Sequence, residues 1–293
     1  MHKLILNSYA KVNLYLEVLA KRKDGYHNIK TVFERINLSD KIILKSRPDK
    51  KIKINCNFPG VPKGRANLCY RSAKLLQEEF KPGQGAEITI EKRIPVSAGL
   101  GGGSSNAATV LLGLNKIWKL GLSRAKLAVL AKKIGSDVPF FLYECPFANG
   151  TSRGDRVQPV ARLRGARLWH ILVVPGIKVS TPLIYRQWDR LGSFELTRPR
   201  QSAKILTLAI RKKDFGLIGE ALFNSLEQAS VKLYPQISRI KEGLRQLAVK
   251  SILMSGSGPA VFGIVSSRKE AVSLGRQLKQ KLGSCQVFVT QTT

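Results

Sequence analysis

The chain has 293 residues, 43% of them hydrophobic, which is enough to bury a sizeable core in one large domain or two ordinary ones. Its 50 Lys and Arg residues against 19 Asp and Glu give a net charge of +31, which suits a nucleic-acid surface, a membrane surface or a polyanionic small substrate. Four widely separated cysteines argue against a cysteine zinc site and a dense disulfide framework. The sequence contains no apolar segment long enough to span a bilayer, so we expect a cytoplasmic protein without membrane insertion.

The first third of the chain is rich in predicted strands. Apolar residues alternate with mostly polar ones over 12–18 and again over 52–56, as in half-buried strands. A helix over 67–80 and a strand around 87–91 are predicted next. That strand leads into IPVSAGLGGGSS, and an apolar stripe from Ala107 to Ile117 predicts a helix directly behind the glycines.

Arginines crowd the segment from Arg153 to Arg167, and we place a domain boundary there, with domains at 1–155 and 156–293. The second part opens with a strand, LWHILVVP, and a helix that Thr181 caps with Pro182 at its first position. Further helices extend to about Leu247. Strands at 251–254 and 260–265 flank SGSGP, and a helix over 269–282 and a last strand, QVFVTQ, complete an α+β pattern with a mainly antiparallel sheet.

The glycine segment between strand and helix is typical of a phosphate site. A helix N-terminus presents unpaired N–H groups and partial positive charge, and glycines let phosphate oxygens approach the backbone. The segment is not a Walker loop, because no glycine precedes a lysine, and Ser104 stands where a dinucleotide fingerprint needs glycine. A tight turn without a ligand is the alternative, but it would be entropically expensive. The tripeptide DFG at 214–216 lacks a partner HRD, so we expect Asp214 to cap a helix.

Several motifs together resemble the GHMP small-molecule kinases over nearly the whole chain. They are AKVNLYLEVLAKRKDGYHNIKTVF, NLCYRSAKLL, PVSAGLGGGSSNAA, IGSDVPFFL, STPLIY and MSGSGPAVFG. The resemblance implies a two-domain α+β fold, with an N-terminal domain like ribosomal protein S5 domain 2, a ferredoxin-like C-terminal domain and the active site between them. DGYH and GSDVPFF are most similar to the members that phosphorylate the tertiary 2-hydroxyl of a methylerythritol joined to cytidine diphosphate, in non-mevalonate isoprenoid precursor synthesis. ATP as co-substrate and Mg²⁺ are therefore expected.

The matched motifs imply two catalytic residues, Asp137 and Lys11. An aspartate can accept the hydroxyl proton while a lysine orients the carboxylate and steadies developing negative charge. Taken singly, Asp137 could be a cap between elements and Lys11 a solvated strand residue.

The resemblance also implies two binding sets. The substrate set is Asn13 at the methylerythritol end or the catalytic pair, Tyr26 and His27 at the cytosine, and Tyr185 on its other face with Thr181 beside it. The phosphates and adenine of ATP are expected to meet Pro95, Val96, Ser97, Ala98, Gly99, Leu100, Gly101, Gly102, Gly103, Ser104, Ser105, Asn67, Lys92 and Asn106. No carboxylate in these motifs is an obvious metal ligand, so Ser104, Ser105 or the phosphates and water would hold Mg²⁺.

Two other functions remain open at this point. A GHMP kinase could act on another alcohol, such as homoserine or a mevalonate derivative, although DGYH and Tyr185 favour cytidine. A basic S5-like nucleic-acid binding protein would account for the charge, which exceeds what a small substrate needs, but it would leave the kinase motifs without a purpose. We expect a small-molecule partner carrying cytidine diphosphate and no specific nucleic acid, in a monomer or a homodimer.

Overall fold

The computed structural model describes residues 3–192, 199 and 201–293 and contains two β-sheets covered by helices. The first part of the chain forms β1 (Lys3–Lys21), β2 (His27–Arg47), β3 (Ile52–Cys56), α1 (Leu68–Phe80), β4 (Gly85–Glu91), α2 (Gly102–Ile117), α3 (Arg124–Ile134), α4 (Val138–Phe141) and β5 (Phe147–Thr151). The second part forms β6 (Arg156–Pro159), a 3-10 turn (Ala161–Leu163), β7 (Trp169–Val174), α5 (Thr181–Arg190), α6 (Ala203–Lys212), α7 (Phe215–Ala221), β8 (Phe223–Asn224), α8 (Glu227–Leu233), α9 (Gln236–Gln246), β9 (Ser251–Met254), β10 (Val261–Val265), α10 (Arg268–Lys281) and β11 (Gln286–Gln291).

The first sheet is built on a long antiparallel hairpin of β1 and β2. Its order is β3-β4-β2-β1-β8, and β5 pairs with β2 and with β6. At the hairpin turn the Arg22 N–H donates to the Tyr26 carbonyl at 2.7 Å, and Gly25 has a φ of 83°, which glycine adopts without strain. This turn places Tyr26 and His27 at the end of the hairpin.

The second sheet has the order β11-β7-β10-β9 and is antiparallel throughout. The two parts of the chain are interleaved where they meet. The short strand β8 pairs in parallel with β1 of the first sheet, and β6, directly after residue 155, still pairs with β5. The division at 155/156 therefore stays a prediction.

A hydrophobic cluster joins the two sheets. It contains Val12 and Phe147 from the first sheet and Leu172 and Phe262 from the second, all of them buried. Burial of these apolar side chains is the main force that holds one sheet against the other. Any cavity at this junction therefore takes its walls from both parts of the chain.

Most predicted elements are present, and one predicted cap is wrong. Ser180, not Thr181, is the N-cap of α5, and the Thr181 hydroxyl instead shares a 2.7 Å hydrogen bond with the Ser257 hydroxyl. The predicted cap at Asp214 is confirmed, because its side chain accepts the Leu217 N–H at 3.0 Å. None of the helices in the described parts of the chain has the length and apolarity to cross a membrane.

Candidate active site

A cavity of about 930 Å³ opens between the two parts of the chain, within the size range of small-molecule sites. Every residue predicted for catalysis, ATP or substrate lines it, except Ser105. The Ser105 side chain is buried behind the glycines, where its hydroxyl accepts a hydrogen bond from the Ser8 hydroxyl at 2.7 Å. The cavity thus brings together residues from the beginning, middle and second half of the sequence.

The glycine segment wraps the start of α2 against β1. The Lys11 N–H donates to the Leu100 carbonyl at 3.0 Å, which ties the segment to the strand. Gly101 has a φ of 67°, and a Cβ there would lie 3.0 Å from both the Lys11 side chain and the Phe141 ring. Glycine is therefore required at this position for conformation and for space. The free N–H groups of the first turn of α2 lie at the cavity, as an anion site requires.

Lys11 and Asp137 form an ion pair at the wall of the cavity. The Lys11 Nζ lies 3.3 Å from Asp137 Oδ2, donates to Asn13 Oδ1 at 2.5 Å and lies over the Phe33 ring. The Lys11 side chain is 5% exposed and that of Asp137 is 32% exposed. Asp137 precedes α4 but makes no capping hydrogen bond with its side chain. Its carboxylate is thus held by a buried lysine and remains open to a ligand.

Asn13 is fixed by both parts of the chain. Its side-chain N–H donates to the Thr31 hydroxyl at 2.8 Å, and its backbone N–H donates to the Ser255 hydroxyl at 3.3 Å. The same Ser255 hydroxyl donates to the Gly99 carbonyl at 3.0 Å. The SGSGP turn therefore buttresses the glycine segment, and Gly256 and Ser257 of that turn also line the cavity.

Asp40 organises the end of the cavity at the start of α2, and sequence reasoning missed it. This buried carboxylate accepts the Arg93 N–H at 2.7 Å, the Ile94 N–H at 2.8 Å and the Asn106 side-chain N–H at 2.8 Å, and it pairs with the Lys92 ammonium. Lys92 in turn lies beside Gly102 at the start of α2. No motif marks Asp40 in the sequence, because its partners come from distant segments.

Asn67 lines the cavity and also caps α1. Its side-chain oxygen accepts the Cys69 N–H at 2.8 Å, and its side-chain nitrogen donates to the Pro62 carbonyl at 2.6 Å. Both ends of the amide are therefore occupied within the protein.

The far end of the cavity is aromatic. The His27 ring stacks on Tyr185, with centroids 5.3 Å apart, and meets the edge of Trp188 at 5.4 Å. Tyr26 is 54% exposed, and the Arg153 guanidinium lies 5.1 Å from its ring centroid. Burial, with the nearby charge of Asp137, raises the pKa of the Tyr185 hydroxyl, so this group stays protonated and neutral.

Asp189, another residue that the sequence did not single out, connects α5 to the β1–β2 hairpin. It accepts from the Lys21 Nζ at 2.7 Å and lies 2.8 Å from His27 Nε2. Burial acts to raise the pKa of Asp189, but the Lys21 and His27 contacts lower it overall. The aromatic end thus has a carboxylate behind its histidine.

This arrangement can transfer a phosphoryl group. A helix N-terminus can receive phosphate oxygens, a lysine-held carboxylate can accept a proton from an alcohol, and both face one cavity. Among the described residues, no group of three or more His, Cys, Asp or Glu side chains could hold a metal ion.

Two family models match parts of the chain. The model described as GHMP kinases N terminal domain matches residues 67–145, and the one described as GHMP kinases C terminal matches residues 206–284. Together they cover more than half of the chain.

Individual relatives identify a narrower family than the two domain models do. The chain is 38% identical over 308 aligned residues to the 4-diphosphocytidyl-2-C-methyl-D-erythritol kinase of Gloeothece citriformis, with 99% of this chain and 96% of the relative covered. It is 43% identical to the kinase of the same name from a Geobacillus species, with 90% of this chain and 88% of the relative covered.

Solved structures include a kinase of the same name. A crystal structure of 4-(cytidine 5'-diphospho)-2C-methyl-D-erythritol kinase is similar at a TM-score of 0.81 and 33% identity, with 99% of this chain and 100% of that chain covered. A homoserine kinase from Cytophaga hutchinsonii has a TM-score of 0.74 at 18% identity and shows the shared fold alone. The expected two-domain α+β kinase fold is therefore confirmed, and the chain belongs to the 4-diphosphocytidyl-2-C-methyl-D-erythritol kinase family of the GHMP kinases.

Proposed function

We propose that the protein transfers the γ-phosphoryl group of ATP to the 2-hydroxyl of 4-diphosphocytidyl-2-C-methyl-D-erythritol, giving the 2-phosphate and ADP in the non-mevalonate route to isoprenoid precursors. The observation that carries this proposal is the ion pair of Lys11 and Asp137, 3.3 Å apart, at the wall of the cavity that also contains the N-terminus of α2. Phosphoryl transfer depends mainly on positioning and charge stabilisation, and these elements supply both.

Each catalytic side chain has a defined task in this reaction. Asp137, whose carboxylate is partly open to the cavity, accepts the proton of the attacking hydroxyl. Lys11 orients that carboxylate and stabilises the negative charge that develops on the transferred group. Asn13, held by Thr31 and Ser255, keeps the lysine in place through its 2.5 Å hydrogen bond.

ATP binds with its phosphates at the glycine segment and Lys92, and with its base near Asn67. Mg²⁺ would accompany the nucleotide and neutralise part of its charge. Mg²⁺ usually keeps several waters and takes few protein ligands when it binds with phosphates. The Ser104 hydroxyl at the cavity fits that need, whereas the Ser105 hydroxyl is already engaged with Ser8. The phosphates and water would supply the remaining ligands.

The cytidine end of the substrate binds at the aromatic end of the cavity. Tyr26 is exposed enough to stack on a base, and His27 and Tyr185 line the same space beside Thr181. Aromatic stacking recognises any base, so a hydrogen bond between His27 and the base would distinguish cytosine. The cytoplasmic location and the choice between monomer and homodimer stay predictions.

A substrate panel tests this function. ATP consumption by the purified protein is measured with 4-diphosphocytidyl-2-C-methyl-D-erythritol, with methylerythritol 4-phosphate, which lacks the cytidine, and with homoserine. We expect turnover with the first compound and at least a hundredfold lower kcat/KM with the others, about 2.7 kcal/mol of transition-state binding. Equal turnover of the compound lacking cytidine would contradict the substrate assignment, and preference for homoserine would indicate another GHMP activity.

A further inference from the structure

One face of α5 surrounds the ring of His27. Tyr185 stacks on it, Trp188 contacts it with its edge, and Asp189 meets its Nε2 at 2.8 Å. These three residues stand at positions i, i+3 and i+4, which share one helix face. A single helix from the second part of the chain therefore fixes both the plane and the rotation of a side chain that belongs to the first.

The contact with Asp189 also decides which imidazole nitrogen carries hydrogen. A neutral histidine has one N–H donor and one acceptor nitrogen. An ionised carboxylate only accepts, so the nitrogen beside Asp189, Nε2, must be the donor. The other nitrogen, Nδ1, is then an acceptor, and no side chain or backbone group in the described part of the chain donates to it.

An acceptor at this place distinguishes two pyrimidines of nearly equal size. Cytosine carries an amino group at position 4, which donates, whereas uracil carries a carbonyl oxygen there, which accepts. His27 lines the cavity, so its Nδ1 as an acceptor would pair with the first and repel the second. A site built to hydrogen-bond one group discriminates strongly against an analogue that lacks it, because the polar atoms of the site are left unpaired.

We propose that Asp189 is a positioning residue for base selection: by accepting the Nε2 hydrogen of His27 it holds Nδ1 as the acceptor that selects cytidine-linked over uridine-linked substrates. The inference rests on the proposed function for the identity of the substrate. Lys21 also contacts the Asp189 carboxylate at 2.7 Å, but it is largely exposed and does not contact the imidazole through any hydrogen bond of the described residues.

The kinetic test compares 4-diphosphocytidyl-2-C-methyl-D-erythritol with its uridine analogue as substrates of the full-length enzyme at pH 8. We expect Asp189→Ala to lower the ratio of the two kcat/KM values by roughly tenfold, the scale of one lost hydrogen bond. Asp189→Asn keeps an acceptor oxygen and is expected to retain more of the preference than alanine does. Lys21→Met removes the other partner of the same carboxylate and is expected to leave the ratio nearly unchanged.

A spectroscopic test does not depend on turnover. The imidazole ¹⁵N shifts of His27 report its tautomer, and the three histidines of the chain are assigned with His2→Gln and His170→Gln variants. We expect the Nε2–H form in the wild type and a mixture of tautomers in Asp189→Ala. Predominance of the Nδ1–H form or of a doubly protonated ring in the wild type overturns the proposal, and so does an unchanged substrate ratio in a folded Asp189→Ala. If the wild type does not phosphorylate the cytidine compound, the proposed function fails, while the NMR result still decides whether Asp189 sets the tautomer of His27.

Discussion

Two acid–base pairs in this protein use similar groups in opposite surroundings. Lys11 and Asp137 meet at the cavity wall, where the carboxylate is 32% exposed. Glu34 of β2 and His170 of β7 meet at 3.0 Å between the two sheets, where both side chains are fully buried, and Thr292 donates to the second oxygen of Glu34 at 2.6 Å. A carboxylate open to a ligand can accept its proton, whereas an enclosed one can only hold strands together. We therefore expect access to the cavity, more than residue type, to decide which carboxylate is catalytic and which is structural.

Replacing Asp137 with Asn should give the largest effect on the open pair. The amide keeps the size of the side chain but cannot accept the hydroxyl proton, so kcat should fall by roughly two to four orders of magnitude. The thermal midpoint should change little, because the group is partly exposed. Steady-state kinetics and a melting curve on the same preparation check both statements. An unchanged kcat would remove Asp137 from the chemistry.

Replacing Glu34 with Ala should affect the enclosed pair in the opposite way. His170 Nε2 and the Thr292 hydroxyl lose their partner in a fully buried site, so the free energy of unfolding should fall by roughly 3–5 kcal/mol. Urea unfolding measures this loss, and Glu34→Gln, which keeps an acceptor, serves as the milder control. A large loss of kcat in Glu34→Ala without loss of stability would break the comparison between the two pairs.

The pair of Lys92 and Asp40 lies between these extremes, because the acid is fully buried while the lysine reaches the cavity. Lys92→Met leaves Asp40 its three other donors but removes an ammonium from the phosphate end. We expect the KM for ATP to rise by roughly ten- to a hundredfold, the scale of a hydrogen bond to a charged group. The KM for the second substrate should stay nearly constant.

A matched control for Lys92→Met is Lys41→Met, which removes a lysine from the exposed pair with Glu91 at 3.2 Å. This variant should leave the KM for ATP unchanged. Equal effects in the two lysine variants would show that general charge, not position at the cavity, attracts the nucleotide.

The smallest effect is expected at the exposed pair of Arg47 and Asp49. The hydrogen bond from Arg47 lowers the pKa of Asp49 from 3.8 to about 2. Because the folded pKa is the lower one, any stabilisation is complete above pH 3.8 and is lost as the pH falls through about 2. Water screens this pair, so Asp49→Asn should leave the melting temperature at pH 7 within experimental error. A clear drop at neutral pH would show that exposed pairs matter more here than the comparison implies.

Local sequence patterns predicted much of the secondary structure. Alternating apolar residues predicted β1, and the helical stripe behind the glycines predicted α2. The expected half-buried strand is wrong for the middle of β1, because residues 10–16 are buried on both faces by the helices and the second sheet. The cap of α5 was assigned one residue too late, since both Ser180 and Thr181 are suitable capping residues and only the backbone distinguishes them.

The residues of the candidate site also fall into two classes, those that the sequence predicted and those that it did not. Chemistry concentrated in a short segment, such as GLGGGSS or DGYH, is visible in the sequence because neighbouring residues act together. Asp40 and Asp189 are single acids in ordinary surroundings, and their roles come from partners that lie far away in the chain. No periodicity or spacing connects such residues.

The sequence by itself determined that a strand enters a glycine-rich helix start and that motifs shared with a kinase family extend along the chain. Only the tertiary structure decided that Lys11 meets Asp137, that Ser105 faces Ser8 instead of the cavity, and that α5 lies against His27. The physical reason is that local patterns follow from backbone geometry, whereas the partner of a lone polar side chain depends on how the sheets and helices pack against each other.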